Sequence, residues 1–387
     1  MSSFERKLLM KSLGSSLPPM PPPGGSSASK KRKGPPGRRK DYSLLQWSDY
    51  FTSSQDVKVD DDNIFRIYER GSEGPLVFLI HGGGFSGLTW AVLCATLTKL
   101  VKCRTVAMDV RGHGNTKTTD EDDLSADRLA SDIGNIISTL YKDTEVPPTI
   151  LVGHSMGGAI SVHSAIKNLV PSLVGMIVID VVEGTALEAL HSMQSFLKGR
   201  PSHFKSIEYA IEWVNRTGQI RNLESARVSM IGQLREMEEH EVPQSIKERE
   251  IPDAANTIAE EDEEDGETSS ESNAKAISKE KPNQYYTWRI DLSKTESFWK
   301  GWFQGMSSLF LSVPVPKMLL LAGVDRLDKD LAVGQMQGKF QMQIIGNCGH
   351  TMHEDQPQKV AEAIATFLLR HKMAESLSGF ERPFPCC

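Results

Sequence analysis

One stretch, Thr149-Ile150-Leu151-Val152-Gly153-His154-Ser155-Met156-Gly157-Gly158-Ala159, constrains the fold more than any other part of this sequence. Thr149 to Val152 is a short apolar run suited to a buried strand, and from Ala159 onward the pattern is that of a helix start. Between them, Gly153-His154-Ser155-Met156-Gly157 fits the pattern G-x-S-x-G. A turn this sharp leaves no room for side chains where strand and helix nearly touch, so the glycines hold Ser155 out with its hydroxyl exposed, as in a nucleophile elbow. A serine hydroxyl alone is a weak nucleophile. It needs a histidine to take its proton, an acid to orient that histidine, and N–H donors for the oxyanion that forms.

The rest of the chain supplies the context such an elbow needs. Phe65-Arg66-Ile67-Tyr68 alternates apolar and polar like a strand, and Leu76 to Ile80 reads as a fully buried one. The latter ends in His81-Gly82-Gly83-Gly84, which resembles the loop that completes the oxyanion hole of lipases and esterases. Gly83, Gly84 and Met156 are therefore the candidate oxyanion donors. Thr105 to Met108 is a further strand, followed by Asp109-Val110-Arg111-Gly112-His113-Gly114, similar to a loop of many α/β-hydrolases. That loop is read as structural, with no catalytic role for His113. Leu124 to Leu140 carries Leu129, Ile133, Ile136, Ile137 and Leu140 on one helical face. Leu173–Ile179, Pro316–Ala322 and Phe340–Ile345 repeat the buried-strand pattern. Strands alternating with helices predict a mainly parallel sheet flanked by helices. With the elbow and the two glycine loops this resembles the α/β-hydrolase fold, whose core would span 41–185 and 313–387.

Composition locates what lies outside that core. Only 39% of the chain is hydrophobic, and the net charge of -6 hides two opposed blocks. Residues 1–40 hold ten Lys/Arg against one Glu, are rich in Pro, Gly and Ser, and read as a disordered basic leader. Its Lys30–Lys33 and Arg38–Lys40 clusters fit either nuclear import or a solvated tail; with no aromatic residues interleaved, no nucleic-acid binding is expected. Residues 186–312 read as a lid insertion, with helices over Ser206–Trp213 and Leu223–Met237 and an acidic, disordered loop at about 254–282. The aromatic return from Trp288 to Phe310 reads mostly as packing of the lid on the sheet. Five cysteines without metal spacing point to a reducing compartment, and with no run long enough to span a membrane a soluble protein of the cytoplasm and nucleus is expected, without a membrane partner. A monomer is expected.

His350 lies past the last strand and before a helix running to about His371, and it ranks first as general base. His353, beside Glu354, is expected on the surface. Two acids compete to orient His350 in the order Ser, acid, His. Asp325 follows the strand after the lid, the more usual place, but sits among Arg326, Asp328, Lys329 and Asp330. Asp180 follows seven largely apolar residues, where a buried carboxylate needs a partner such as an imidazole N–H.

Longer stretches carry a more specific resemblance. The elbow, Ile179–Ala186, Gly218–Arg227, Ala322–Asp330 and Gly334–Met342, together with the acidic loop, resemble the protein phosphatase methylesterases over most of the chain from Asp41. The resemblance implies a triad of Ser155, Asp180 and His350, with no metal or organic cofactor. It also implies a substrate and partner, the methyl-esterified C-terminal leucine of the catalytic subunit of type-2A protein phosphatase. A general carboxylesterase, or a phosphatase-binding protein on a hydrolase scaffold, would share the core features.

Overall fold

A computed structural model describes residues 40–243, 284–323, 327–377 and 379–380. The leader up to residue 39, the acidic loop and Asp325 lie outside the described residues. The centre of the fold is an eight-stranded sheet. In chain order its strands are β1 (Ser53–Lys58), β2 (Ile64–Arg70), β3 (Leu76–Ile80), β4 (Arg104–Met108), β5 (Thr149–His154), β6 (Leu173–Ile179), β7 (Lys317–Leu321) and β8 (Gln341–Ile344). They lie side by side as β1-β2-β4-β3-β5-β6-β7-β8. β1 and β2 pair antiparallel, as do β2 and β4, and all other neighbours are parallel.

The apolar runs are unbroken because both faces of the sheet are covered. Along β3 the side chains alternate: Leu76, Phe78 and Ile80 enter one core, Val77 and Leu79 the other. In β5, Leu151 joins the first, Ile150 and Val152 the second. The second core is closed by helices α1 (Ala91–Leu100) and, at the end of the chain, Pro357–Arg370. The first is closed by α2 (Ala126–Leu140) and α3 (Met156–Ile166). α2 is capped by Ser125, whose hydroxyl accepts from the Arg128 N–H, and it buries Leu129, Ile133, Ile136 and Ile137 as the spacing predicts.

Between β6 and β7 the chain forms α4 (Glu183–Lys198), α5 (Ile207–Arg216), α6 (Leu223–Ser229), α7 (Glu296–Phe303) and α8 (Met306–Ser312). α5, α6 and a short ribbon, Leu234–Glu236 paired with Tyr286–Trp288, enclose a separate small core around Phe204, Ile211, Val214 and Met230. The helix expected over Leu223–Met237 thus ends at Ser229. Gly232 explains the turn: it lies so close to Ser86 that a side-chain carbon there would fall 2.0 Å from Ser86 Oγ. After β7 come α9 (Lys329–Met336), β8, α10 (Met352–Asp355) and α11 (Pro357–Arg370). The helix expected after His350 is therefore broken at Gln356, before a proline that has no N–H to continue the ladder. β1 escaped the sequence reading because it is an edge strand with only Val57 buried, so no alternation marks it.

Because β3, β5, β6 and β7 are parallel and in register, their carboxyl ends meet at one edge. Ile80 pairs with Gly153, His154 with Ile179, and Ile179 with Leu320. Every candidate site loop leaves from that edge.

Candidate active site

Ser155 is the first residue past β5, with φ 52° and ψ -121°. The packing around it allows no side chains: a β carbon on Gly153 would lie 2.3 Å from Gly157 O, and one on Gly157 2.3 Å from Ile80 O. The elbow thus presses α3 against the end of β3, and Ser155 is left at the tip. Its hydroxyl donates to His350 Nε2 at 3.0 Å. His350 Nδ1–H donates to Asp180 Oδ2 at 2.9 Å, and the other carboxylate oxygen accepts from the Ala322 N–H at 2.9 Å. Asp180 is 3% exposed and so meets the requirement of a buried carboxylate for partners. Like Ser155 it has a positive φ, 51°, at a strand end that carries chemistry. The structure thus brings Ser155, His350 and Asp180 together.

The glycine loop differs from expectation at one position. Gly84, expected beside Gly83 and Met156 as an oxyanion donor, gives its N–H to His113 Nε2 at 2.9 Å. Burial pushes the His113 imidazole down to about 4, so it stays neutral; its Nδ1–H donates to Arg111 O at 2.8 Å, leaving Nε2 free to accept. The amides of Gly83 and Met156 donate to no protein acceptor among the described residues. These two remain to receive an oxyanion. His81 works the other way: it accepts from the Val110 N–H at 3.0 Å and donates to Gly82 O at 2.8 Å, burial again keeping it neutral. Two buried histidines therefore staple the glycine loop to the Asp109–Gly114 loop. That second loop is fixed by a buried, two-bond ion pair of Arg111 with Asp132, both bonds 2.8 Å.

The His350 loop is held from several sides. His154 donates from Nε2 to His350 O at 2.9 Å. Asp355 accepts from the Gly349 N–H and from the Arg221 N–H, each at 2.7 Å. Thr351 donates to Gln219 O at 2.7 Å, and Ser225 donates to Glu354 O at 2.9 Å. Apart from His154, the partners reaching this loop from outside, Gln219, Arg221 and Ser225, lie within Gly218–Arg227, a stretch whose role the sequence did not disclose. His353 is corrected from surface to core: fully buried, its Nε2 shares a 2.8 Å hydrogen bond with Thr89 Oγ1, and its ring lies 4.3 Å from Trp90 and 4.4 Å from His154. Glu354 is buried with it, and burial raises its carboxyl to about 8. One short helix, α10, turned inward under the triad, places both; a charged dipeptide gives no such signal.

Ser155 and His350 open into a pocket of about 310 Å³. Its walls are mostly apolar, with Leu190, Met193 and Leu197 from α4 and Trp299, Trp302 and Phe303 from α7, and Arg200 lies among them. The two indole N–H groups are turned to Thr295 Oγ1 and Leu124 O, both at 2.7 Å. Apolar surface is left for a ligand. Among the described residues no cluster of His, Cys, Asp or Glu is arranged to hold a metal, and no helix is long and apolar enough to cross a membrane.

Strand order, elbow and loop placement define an α/β hydrolase, and the sequence matches that family over residues 77–363. Solved structures agree on the fold. An E-2-(acetamidomethylene)succinate hydrolase superposes with a TM-score of 0.57 at 20% identity, covering 82% of this chain and 98% of that one. A Mycobacterium tuberculosis esterase gives 0.55 at 18%, covering 82% and 91%. Sequence relatives are far nearer: protein phosphatase methylesterase 1 of Mus musculus is 53% identical and that of Homo sapiens 54%, each over 100% of both chains. The probable enzyme of Caenorhabditis elegans is 45% identical over 88% of this chain and 81% of its own. The chain belongs to the protein phosphatase methylesterases.

Proposed function

We propose that this protein removes the methyl ester from the C-terminal leucine of the catalytic subunit of type-2A protein phosphatase, with Ser155, His350 and Asp180 as its triad. The observation that carries the reading is the Ser155–His350 hydrogen bond at the floor of an apolar pocket, in a chain 53% identical over its full length to a protein phosphatase methylesterase. His350 Nε2 takes the Ser155 proton as Oγ attacks the ester carbonyl. The charge that develops on the carbonyl oxygen falls to the amides of Gly83 and Met156, fixed by the elbow and the histidine staples before the substrate arrives. Asp180 holds the imidazole in the tautomer that faces Ser155 and stabilises the imidazolium. When the tetrahedral intermediate collapses, His350 returns the proton to the leaving oxygen and methanol departs. Water, deprotonated by the same histidine, then attacks the acyl-serine and releases the free carboxylate. The pocket formed by α4 and α7 suits the apolar side chain of a leucine.

The test is mass spectrometry of the phosphatase C-terminal peptide after incubation with methylated intact phosphatase or with methylated free peptide. Loss of the methyl group from the intact phosphatase is expected, and Ser155→Ala abolishes it without unfolding the protein. Hydrolysis of small esters with the phosphatase left methylated would overturn the substrate and leave the fold standing.

A further inference from the structure

Two cavities meet along a shared wall. The pocket over Ser155 and a second cleft of about 850 Å³ share Leu197, Arg200 and Leu292 in their walls. The Arg200 guanidinium carbon lies 3.4 Å from the centroid of a Trp288 ring. That indole is itself fixed, donating from Nε1 to Pro201 O at 2.7 Å and packing edge-on against Phe204 and Trp213. The guanidinium is thereby held flat at the junction.

Among the described residues its hydrogen-bonding capacity is unspent. Arg200 Nε is buried with no acceptor, and no carboxylate forms an ion pair with the group among the described residues. The carboxylate that acts on it through space, Asp291, is engaged with the Ser293 N–H and hydroxyl at 3.1 and 2.6 Å. The two other guanidinium groups of the cleft are neutralised: Arg289 by Glu121 at 3.0 Å and Arg235 by Glu241 at 2.6 Å. Burial lowers Arg200 to about 10, so it remains a cation at neutral pH. A half-buried guanidinium with idle donors is costly unless something pairs with it, and its planar fork fits a carboxylate.

We propose that Arg200 is a specificity-determining residue that receives an acidic side chain of the substrate, from the segment just before the esterified C-terminal residue. The assignment rests on the methylesterase reading. With the ester at Ser155 and its apolar side chain in the first pocket, the preceding residues leave past the shared wall into the larger cleft. Their charge is met there by Arg200.

Peptides ending in leucine methyl ester, with one Asp or Glu at each of the positions before the ester, are compared with matched Asn or Gln peptides. Each is measured as a substrate and as an inhibitor of p-nitrophenyl acetate hydrolysis, beside intact methylated phosphatase. At one position the acidic peptide should bind about tenfold more tightly than its amide partner. Arg200→Met should bring that ratio close to one, and Arg200→Lys should keep part of it. Equal binding of acid and amide peptides by the wild type, or an unchanged ratio in Arg200→Met, overturns the assignment. If the phosphatase is demethylated but charge makes no difference, only Arg200 loses its role. If neither phosphatase nor peptide is demethylated, the methylesterase reading falls and takes this one with it.

Discussion

Asp180 shows how much one side chain must satisfy at once. One carboxylate oxygen faces the His350 Nδ1–H and the other the Ala322 N–H. Asp180→Asn can keep the second bond but puts either an amide N–H against an imidazole N–H or forces the other tautomer. kcat should fall by about a thousandfold or more, with the far-UV spectrum unchanged. Asp325→Asn should cost much less; if it costs more, the acid is misassigned. Ser155 and His350 could be found from motif and chain order, and the apolar run before Asp180 together with the resemblance favoured that acid over Asp325; its second bond, to the Ala322 N–H, no local pattern reveals. Glu354 was hidden for another reason: a Glu beside a His and an Asp reads as solvated, yet it is wholly buried. Its carboxyl is raised by burial from 4.5 to about 8. A raised acid is neutral in the folded state, so its contribution is fully present below about 4.5 and is lost progressively as pH rises towards 8. Glu354→Gln should therefore gain thermal stability relative to wild type over that window, the gap levelling off above it. Thermal melts across the pH series check this, and a gap that does not grow with pH would refute it.

At the scale of elements, the parallel strands were readable because covered faces demand unbroken apolar runs, and β5 with its elbow was the clearest of them. Edge strand β1 and the turn at Gly232 were not, since one lacks a buried face and the other answers to Ser86, distant in sequence. The same holds for the loop staples. His113 reads as structural in the sequence, but its service as acceptor for the Gly84 N–H depends on burial that only the assembled loops provide. His113→Leu removes that acceptor and the donor to Arg111 O together. The Gly82–Gly84 loop then loses its fixed orientation, and the oxyanion site, which acts on the transition state, should suffer more than substrate binding. About a tenfold fall in kcat with little change in KM is expected from steady-state kinetics. A change confined to KM would mean the loop shapes the pocket rather than the oxyanion site.

Across the whole molecule, the insertion between β6 and β7 does more than roof the pocket. Gln219, Arg221 and Ser225 bind the segment Gly349–Asp355 directly, so the histidine is set as much by the insertion as by β8. Asp355 is the joint, taking the Gly349 N–H on one oxygen and the Arg221 N–H on the other. In Asp355→Asn one of these donors must face an amide NH₂. A loss of about 2 kcal/mol in stability is expected, the size for a buried donor left unsatisfied. If the joint positions His350, kcat on a small ester should fall about tenfold at temperatures well below the melting transition, where the loss of stability alone leaves the protein folded. Arg221→Met is the matched control: it keeps the backbone N–H that Asp355 uses and discards only the side chain, whose Nε stands 3.8 Å from the carboxylate. It should retain most of the activity. Equal losses in both variants would place the effect in the charge of Arg221, and an Asp355→Asn enzyme with wild-type kcat would show that β8 and His154 suffice to hold the base.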